Sequence, residues 1–204
     1  SKQKIEGLAE PYEVKERITC SVKEIKIEEG ITALAVSNLF GNVSKDEDAE
    51  EIKLSLPDSL ERINANTFAP TTDAAYIRTI HLPRNVRYIE GGAFWGLGAT
   101  DTSDTFNENL TITVDSKNPY YMTENNVLFT KDKKTLVYYP VEKTEQSYRI
   151  PKSVTKVEAL AFSRNPFLKK VVLPTGITDI GAGAFYGDSK LSDINLAQAV
   201  NVKK

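Results

Sequence analysis

A single interval recurs through this chain and limits the folds open to it. Leucine or isoleucine, then proline, then phenylalanine eleven positions after the proline occurs as Leu56-Pro57 to Phe68, Leu82-Pro83 to Phe94, Ile150-Pro151 to Phe162 and Leu173-Pro174 to Phe185. Three positions after each proline stand Leu60, Val86, Val154 and Ile177, and six after it Ile63, Ile89, Val157 and Ile180. Thr67, Ala93, Ala161 and Ala184 precede the phenylalanines. Self-similarity of this kind is the signature of a repeat architecture, in which each unit buries its apolar face only by stacking on the next.

Within a unit, Leu54, Ile80, Tyr148 and Val171 lie three positions before proline, so apolar residues at minus three and minus one alternate with their neighbours. That period of two predicts a short half-buried strand, and proline, which has no N–H to give to a ladder, closes it. A turn, a second short apolar pair and a tight bend follow. Pro151 and Pro174 are 23 residues apart, within the range of leucine-rich repeats. Stacked coils then place the phenylalanines in an internal column. Gly181-Ala182-Gly183-Ala184 before Phe185, and Gly91-Gly92-Ala93 before Phe94, let the backbone bend and approach the neighbouring coil. A phosphate-binding reading of those glycines requires a following Gly-Lys-Ser/Thr at a helix start, and none follows.

The segments LPRNVRYIEGGAF, IPKSVTKVEALAF and LPTGITDIGAGAF resemble the BspA-like leucine-rich repeats of bacterial surface proteins, and VDSKNPYYMTENNVLFTKDKKTLVYYP (114–140) resembles a hairpin-bearing unit that interrupts such arrays. The resemblance spans roughly residues 22 to 200. It implies a mainly β fold: a right-handed leucine-rich-repeat solenoid of about six to seven short coils with a β-hairpin insertion. It also implies an extracellular or cell-surface location and a role in adhesion to host or microbial surfaces, and it carries over no catalytic residue. The expected division is a lead-in or cap over 1–21 and a solenoid over 22–204, with the hairpin-bearing unit at about 110–148. VKEIKIEEGITALAVSNLF reads as a degraded first coil: Glu28 stands where proline would, Ile31 and Leu34 keep the next two positions, and Leu39 replaces phenylalanine. In the last coil Leu191, Ile194 and Leu196 are in register but Ala197 replaces proline. A frayed natural end and a cut array both fit that pattern.

Charge narrows the partners. The 26 basic and 28 acidic residues are scattered along 204 positions for a net charge of −2, without the basic stripe that nucleic-acid binding calls for. No apolar run reaches the length of a transmembrane helix. The chain begins Ser-Lys-Gln without a signal peptide, so export is an expectation from the resemblance alone. Chemistry has few candidates. The one cysteine, Cys20, makes no internal disulfide and is expected to serve as a small hydrophobe in ERITCSVKEI. His81, the single histidine, makes a histidine-based zinc site or a serine-protease triad hard to assemble. It lies about two coils from Cys20. The runs KDEDAEE (45–51) and DTSDT (101–105) read as solvated loops, the second lacking the glycine spacing of a calcium loop. No catalytic residue, metal ligand or cofactor is expected.

A partner, a protein or glycan, is expected on the open strand face, where Lys53, Ser55, Thr79, His81, Arg149 and Lys170 alternate outward, together with Ser147, Val172, Asp193 and Asn195. The second candidate is the aromatic hairpin region with Tyr121 and Tyr139, plus Trp95 beside Phe94. Tyrosine and tryptophan anchor interfaces, and they also pair across strands to stabilise hairpins. Neighbouring strand residues face opposite sides, so Tyr120-Tyr121 and Tyr138-Tyr139 are each expected to send one ring inward and one outward. Three readings of function result: a non-catalytic binding module, a structural spacer of a larger surface protein, and a carbohydrate-active enzyme.

Overall fold

A computed structural model describes residues 20–39, 43–45, 51–69, 77–95, 97 and 110–196, with backbone alone for 20–22 and 43–45. The lead-in before Cys20, the Cys20 side chain, most of the acidic run after Lys45, Asp101, Asp104 and Ala197 lie outside the described residues or side chains. Over the described residues the chain is mainly β with almost no helix, coiled into a β-solenoid of about five turns.

The first strands are β1 (Cys20–Val22), β2 (Glu24–Lys26), β3 (Ala33–Leu34), β4 (Val43–Lys45), β5 (Lys53–Ser55), β6 (Arg62–Ile63), β7 (Thr79–Leu82), β8 (Tyr88–Ile89) and β9 (Thr111–Val114). After them come β10 (Tyr121–Glu124), β11 (Val127–Thr130), β12 (Thr135–Tyr138), β13 (Ser147–Arg149), β14 (Lys156–Val157), β15 (Lys170–Val172), β16 (Asp179–Ile180) and β17 (Asp193–Ile194). Strands from successive coils pair in parallel. One side of the solenoid carries β2–β5, β7–β9 and β13–β15–β17, and another carries β3–β6–β8 and β12–β14–β16.

The repeat has a physical reason at each conserved interval. The carbonyls of Pro57, Pro83, Pro151 and Pro174 accept the N–H groups of Leu60, Val86, Val154 and Ile177, closing the same turn in every unit. That turn drops the plus-three side chain into the core, where all four are buried. A second turn closes between Asn64 and Thr67, Glu90 and Ala93, Glu158 and Ala161, and Gly181 and Ala184. The bend it makes is where coils approach most closely. A Cβ on Gly181 would stand 2.2 Å from the Ala159 nitrogen, and Gly183 has φ +62°. A side chain at Gly181 would therefore drive two backbones apart, which accounts for the glycine-alanine run. Next to the bend, Phe68 and Phe94 stack at 5.3 Å and Phe162 and Phe185 at 5.0 Å between ring centroids, distances at which aromatic pairs add to simple burial.

Between β9 and β13 the coil pattern gives way to antiparallel pairing: β10 with β11, and β11 with β12. The β10–β11 connection is Asn125-Asn126, both with positive φ (50° and 64°), which asparagine tolerates better than most residues. These strands separate two cores. Leu128, Val137 and Tyr138 pack with the N-terminal coils, whereas Val127, Phe129, Leu136 and Tyr139 pack with the C-terminal ones. The register shifts between Leu128, opposite Tyr138, and Phe129, opposite Leu136, leaving Val137 as the extra residue of a bulge. A bulge interrupts alternation, so Leu136 and Tyr138 end in different cores although they are two positions apart. The expectation of one inward and one outward ring holds for Tyr120 (exposed) and Tyr121 (buried), but Tyr138 and Tyr139 are both buried. They face opposite ways into two apolar interiors. Tyr138 continues the column from Phe94 at 5.4 Å, and Tyr139 continues it to Phe162 at 4.9 Å.

Candidate partner-binding surface

The outward residues share a simple origin: each stands beside an inward-facing residue on or next to a strand of two to four residues, so the pleat turns it the other way. Lys53, Ser55, Thr79, His81, Ser147, Arg149, Lys170 and Asp193 are all exposed, while Val172 and Asn195 are partly covered. Parallel pairing aligns them in rows: Glu24 with Lys53, Lys26 with Ser55, Thr79 with Thr111, His81 with Thr113, and Ser147 with Lys170 and Asp193. His81 Nδ1 lies 2.9 Å from Thr113 Oγ1, and Lys170 Nζ lies 2.5 Å from Asp193 Oδ2 with both side chains about half exposed. An exposed pair of that kind contributes about 0–1 kcal/mol and leaves the charges available to a partner. The rows fall in separate ladders, with Lys53, Ser55, Thr79 and His81 before the antiparallel strands and Arg149 and Lys170 after them.

Two of the three aromatic candidates, Tyr121 and Tyr139, are corrected by their burial. Tyr121 is buried, and its hydroxyl accepts the Ile89 N–H at 2.9 Å, in the place a neighbouring strand would otherwise fill. Tyr139 is fully buried against Tyr148 at 4.7 Å and Phe162. Burial pushes the hydroxyl pKa values of both upward. Neither ring offers contact area in the folded chain. Trp95 is half-buried, and its indole Nε1 is buried without a hydrogen-bond partner. Among the described residues the exposed tyrosines are Tyr88, Tyr120 and Tyr186.

Sequence reasoning also passed over two buried asparagines and a half-buried one that hold the interrupted region in place. Asn118 accepts the N–H groups of Tyr120 and Tyr121 through Oδ1 and donates from Nδ2 to the carbonyls of Pro83 and Val86, at 2.7–3.0 Å. Asn165 repeats the arrangement with Phe167 and Leu168 as donors and the Pro140, Val141 and Lys143 carbonyls as acceptors. The signal was present as Asn-Pro-Tyr at 118–120 and Asn-Pro-Phe at 165–167. Asn126 is half-buried; its Oδ1 accepts the Ile112 N–H and its Nδ2 donates to the Leu110 carbonyl, so one side chain caps the β9 edge.

Asn126 Nδ2 also donates to Glu142 Oε1 at 2.8 Å, and Glu142 Oε2 is buried with no partner. Burial pushes the Glu142 carboxyl up to about 7, against a weaker downward pull from its own backbone N–H and from Lys143. Asp188, which accepts the Asn165 N–H, is likewise pushed up to about 7 by burial. Each carboxyl keeps its proton in the folded chain at pH values where the unfolded chain has released it. Stability from these groups is therefore fully present below their ordinary values, 4.5 for Glu142 and 3.8 for Asp188, and is lost as pH rises toward 7. For Glu142→Gln, the gap in unfolding free energy to wild type is expected to move in the variant's favour by up to about 3 kcal/mol between pH 5 and pH 8. Denaturant titrations at the two pH values check this, and an unchanged gap would show that Glu142 does not titrate in that window.

Among the described residues no group of three or more His, Cys, Asp or Glu side chains could hold a metal ion, and no helix is long and apolar enough to cross a membrane. Six copies of the BspA type leucine rich repeat region match the chain, over residues 45–117 and 138–204. The chain belongs to that family. The matched spans stop and resume on either side of the antiparallel strands of this BspA-type array. Among solved structures, the pneumococcal vaccine antigen PcpA is similar at 26% identity and a TM-score of 0.65, over 85% of this chain and 39% of that one. A leucine rich cell surface protein from Faecalibacterium prausnitzii is similar at 25% identity and a TM-score of 0.66, over 89% and 42%. A leucine-rich repeat protein from Eubacterium ventriosum shares the fold at 24% identity and a TM-score of 0.53, over 85% and 56%. The BspA-type chain thus spans about half the length of these proteins or less. No curated protein matches it.

Proposed function

We propose that this chain is a non-catalytic binding module of a cell-surface protein, taking a protein or glycan on its outward strand face. The observation that carries the reading is the set of exposed polar side chains mounted on parallel strands: Lys53, Ser55, Thr79 and His81 on one group, Arg149 and Lys170 on the other. Repeat arrays use such extended faces for recognition. The cell-surface description of the Faecalibacterium prausnitzii protein supports an extracellular setting. With Tyr121 and Tyr139 in the core, the strand face takes the weight that the hairpin aromatics would have shared.

Binding of the purified chain to a panel of extracellular-matrix proteins and glycans tests the reading, beside a Lys53/His81/Arg149/Lys170 alanine variant that keeps its melting temperature. A partner held by wild type and released at least about ten-fold more readily by the folded variant is the expected outcome. Silence across the panel, or binding indifferent to the four substitutions, would favour a spacer that holds another domain away from the cell.

A further inference from the structure

A second surface belongs to the ladder formed by β3, β6 and β8. Leu34, Ile63 and Ile89 stand in register and point into the core, so the residues before them, Ala33, Arg62 and Tyr88, form an outward row. The row is uneven. Ala33 is small where its neighbours are large, and the step leaves an open depression of about 430 Å³ lined by Thr32, Ala33, Glu61, Arg62, Arg87 and Tyr88. That volume is in the range of small-ligand sites.

The charges inside it do not cancel. Arg87 donates to Glu61 Oε2 from both Nε and a terminal nitrogen, at 3.2 and 2.7 Å, which answers one carboxylate with one guanidinium. Arg62 has no ion pair among the described residues. Two contacts orient it: Nε donates to Asn64 Oδ1 at 3.2 Å, and its central carbon sits 4.1 Å from the Tyr88 ring centroid. One edge and one face of the guanidinium are thus fixed, while its terminal NH2 groups keep their donors. A planar fork set in advance is what a carboxylate requires for two parallel hydrogen bonds.

The rest of the lining decides what carries that carboxylate. Thr32, Tyr88 and Glu61, whose Oε1 is not taken by Arg87, bring hydroxyl and carboxylate groups to the lining, beside the small apolar Ala33. A protein hot spot needs a desolvated apolar centre, which this depression lacks. Polyhydroxylated rings need both donors and acceptors around them. We propose that the β3–β6–β8 depression binds a carboxylated sugar of the hexuronate type, with the carboxylate on Arg62 and ring hydroxyls on Thr32, Glu61 and Tyr88. The site is independent of the strand face bearing Lys53 and His81.

Titration of the 15N-labelled chain with glucuronate tests it, with glucose and a tri-aspartate peptide as separate arms. Glucuronate is expected to shift the amide signals of residues 32–33, 61–62 and 87–88 saturably, glucose and tri-aspartate to leave them in place. Losing one charge-assisted contact corresponds to at least about a ten-fold weakening, so Arg62→Ala should weaken glucuronate binding by that much with an unchanged melting curve. Arg62→Lys, which keeps the charge without the fork, should fall between. Lys53→Ala should bind as wild type does, which separates this site from the strand face. Equal responses to glucuronate and glucose, a tri-aspartate response as strong as that to glucuronate, shifts elsewhere on the chain, full binding by Arg62→Ala or no saturable response would each overturn the proposal.

Discussion

Replacing Phe162 by alanine is expected to lower the unfolding free energy by roughly 3–5 kcal/mol, the range for emptying a large aromatic site in a packed core. Phe162 is fully buried and touches three rings: Tyr139 at 4.9 Å, Phe185 at 5.0 Å and Tyr148 at 6.0 Å between centroids. Those partners cannot easily close over the void, because Tyr139 is tied by its backbone N–H to Ala161 and Phe162 itself is tied to Ala184. Lys53→Ala, at an exposed position of β5, is the control and should stay within about 0.5 kcal/mol of wild type. Guanidinium titrations of both variants give the comparison. A Phe162 loss no larger than that of Lys53 would remove the aromatic column as a source of stability.

The second large effect belongs to a polar residue. Asn118→Ala is expected to cost at least about 3 kcal/mol, because it strands the Val86 carbonyl and the Tyr120 and Tyr121 N–H groups, and buried polar groups left unpaired cost about 1–3 kcal/mol each. The side chain is 1% exposed, so water cannot replace it without entering the core. Two of its bonds reach back to Pro83 and Val86 and two hold Tyr120 and Tyr121 at the start of β10, so it joins the last regular coil of the first half to the antiparallel strands. Asn165→Ala should act in the same direction but less strongly, since the Asn165 amide bonds to three carbonyls are longer, at 3.3–3.5 Å. A double-mutant comparison checks the pair, and a loss under about 1 kcal/mol for Asn118→Ala would mean the stranded groups find new partners.

The fold was legible because its rules are local and repeated. Proline ends a strand, its carbonyl closes a turn, and small residues permit the bend, so four aligned segments reveal the coil and the inward column. The same logic found the outward side chains of β5, β7, β13 and β15. It failed where one residue breaks the period. Val137 is one more apolar residue in TLVYYP, and nothing in that string marks it as the extra residue of a bulge. Tyr138 and Tyr139 still face opposite ways, and both are core because their strand lies between two apolar interiors, a second cover that the string does not announce. Arg62 and Tyr88 escaped for another reason: they sit beside core residues on two-residue strands, too short to display any alternation.

The shared partition also governs how the molecule comes apart. A stack of near-identical coils frays from its ends, each unit held only by its neighbour. Here β11 and β12 present apolar side chains on both faces, and adjacent residues of one strand belong to different interiors. Stripping coils from either side wets one face of that pair and leaves the other face still packed, so the pair is the last element to lose its shelter. Amide exchange in the native chain would accordingly be slowest along residues 127–130 and 135–138 and faster toward both ends, which makes the segment that interrupts the repeat the centre of its cooperativity.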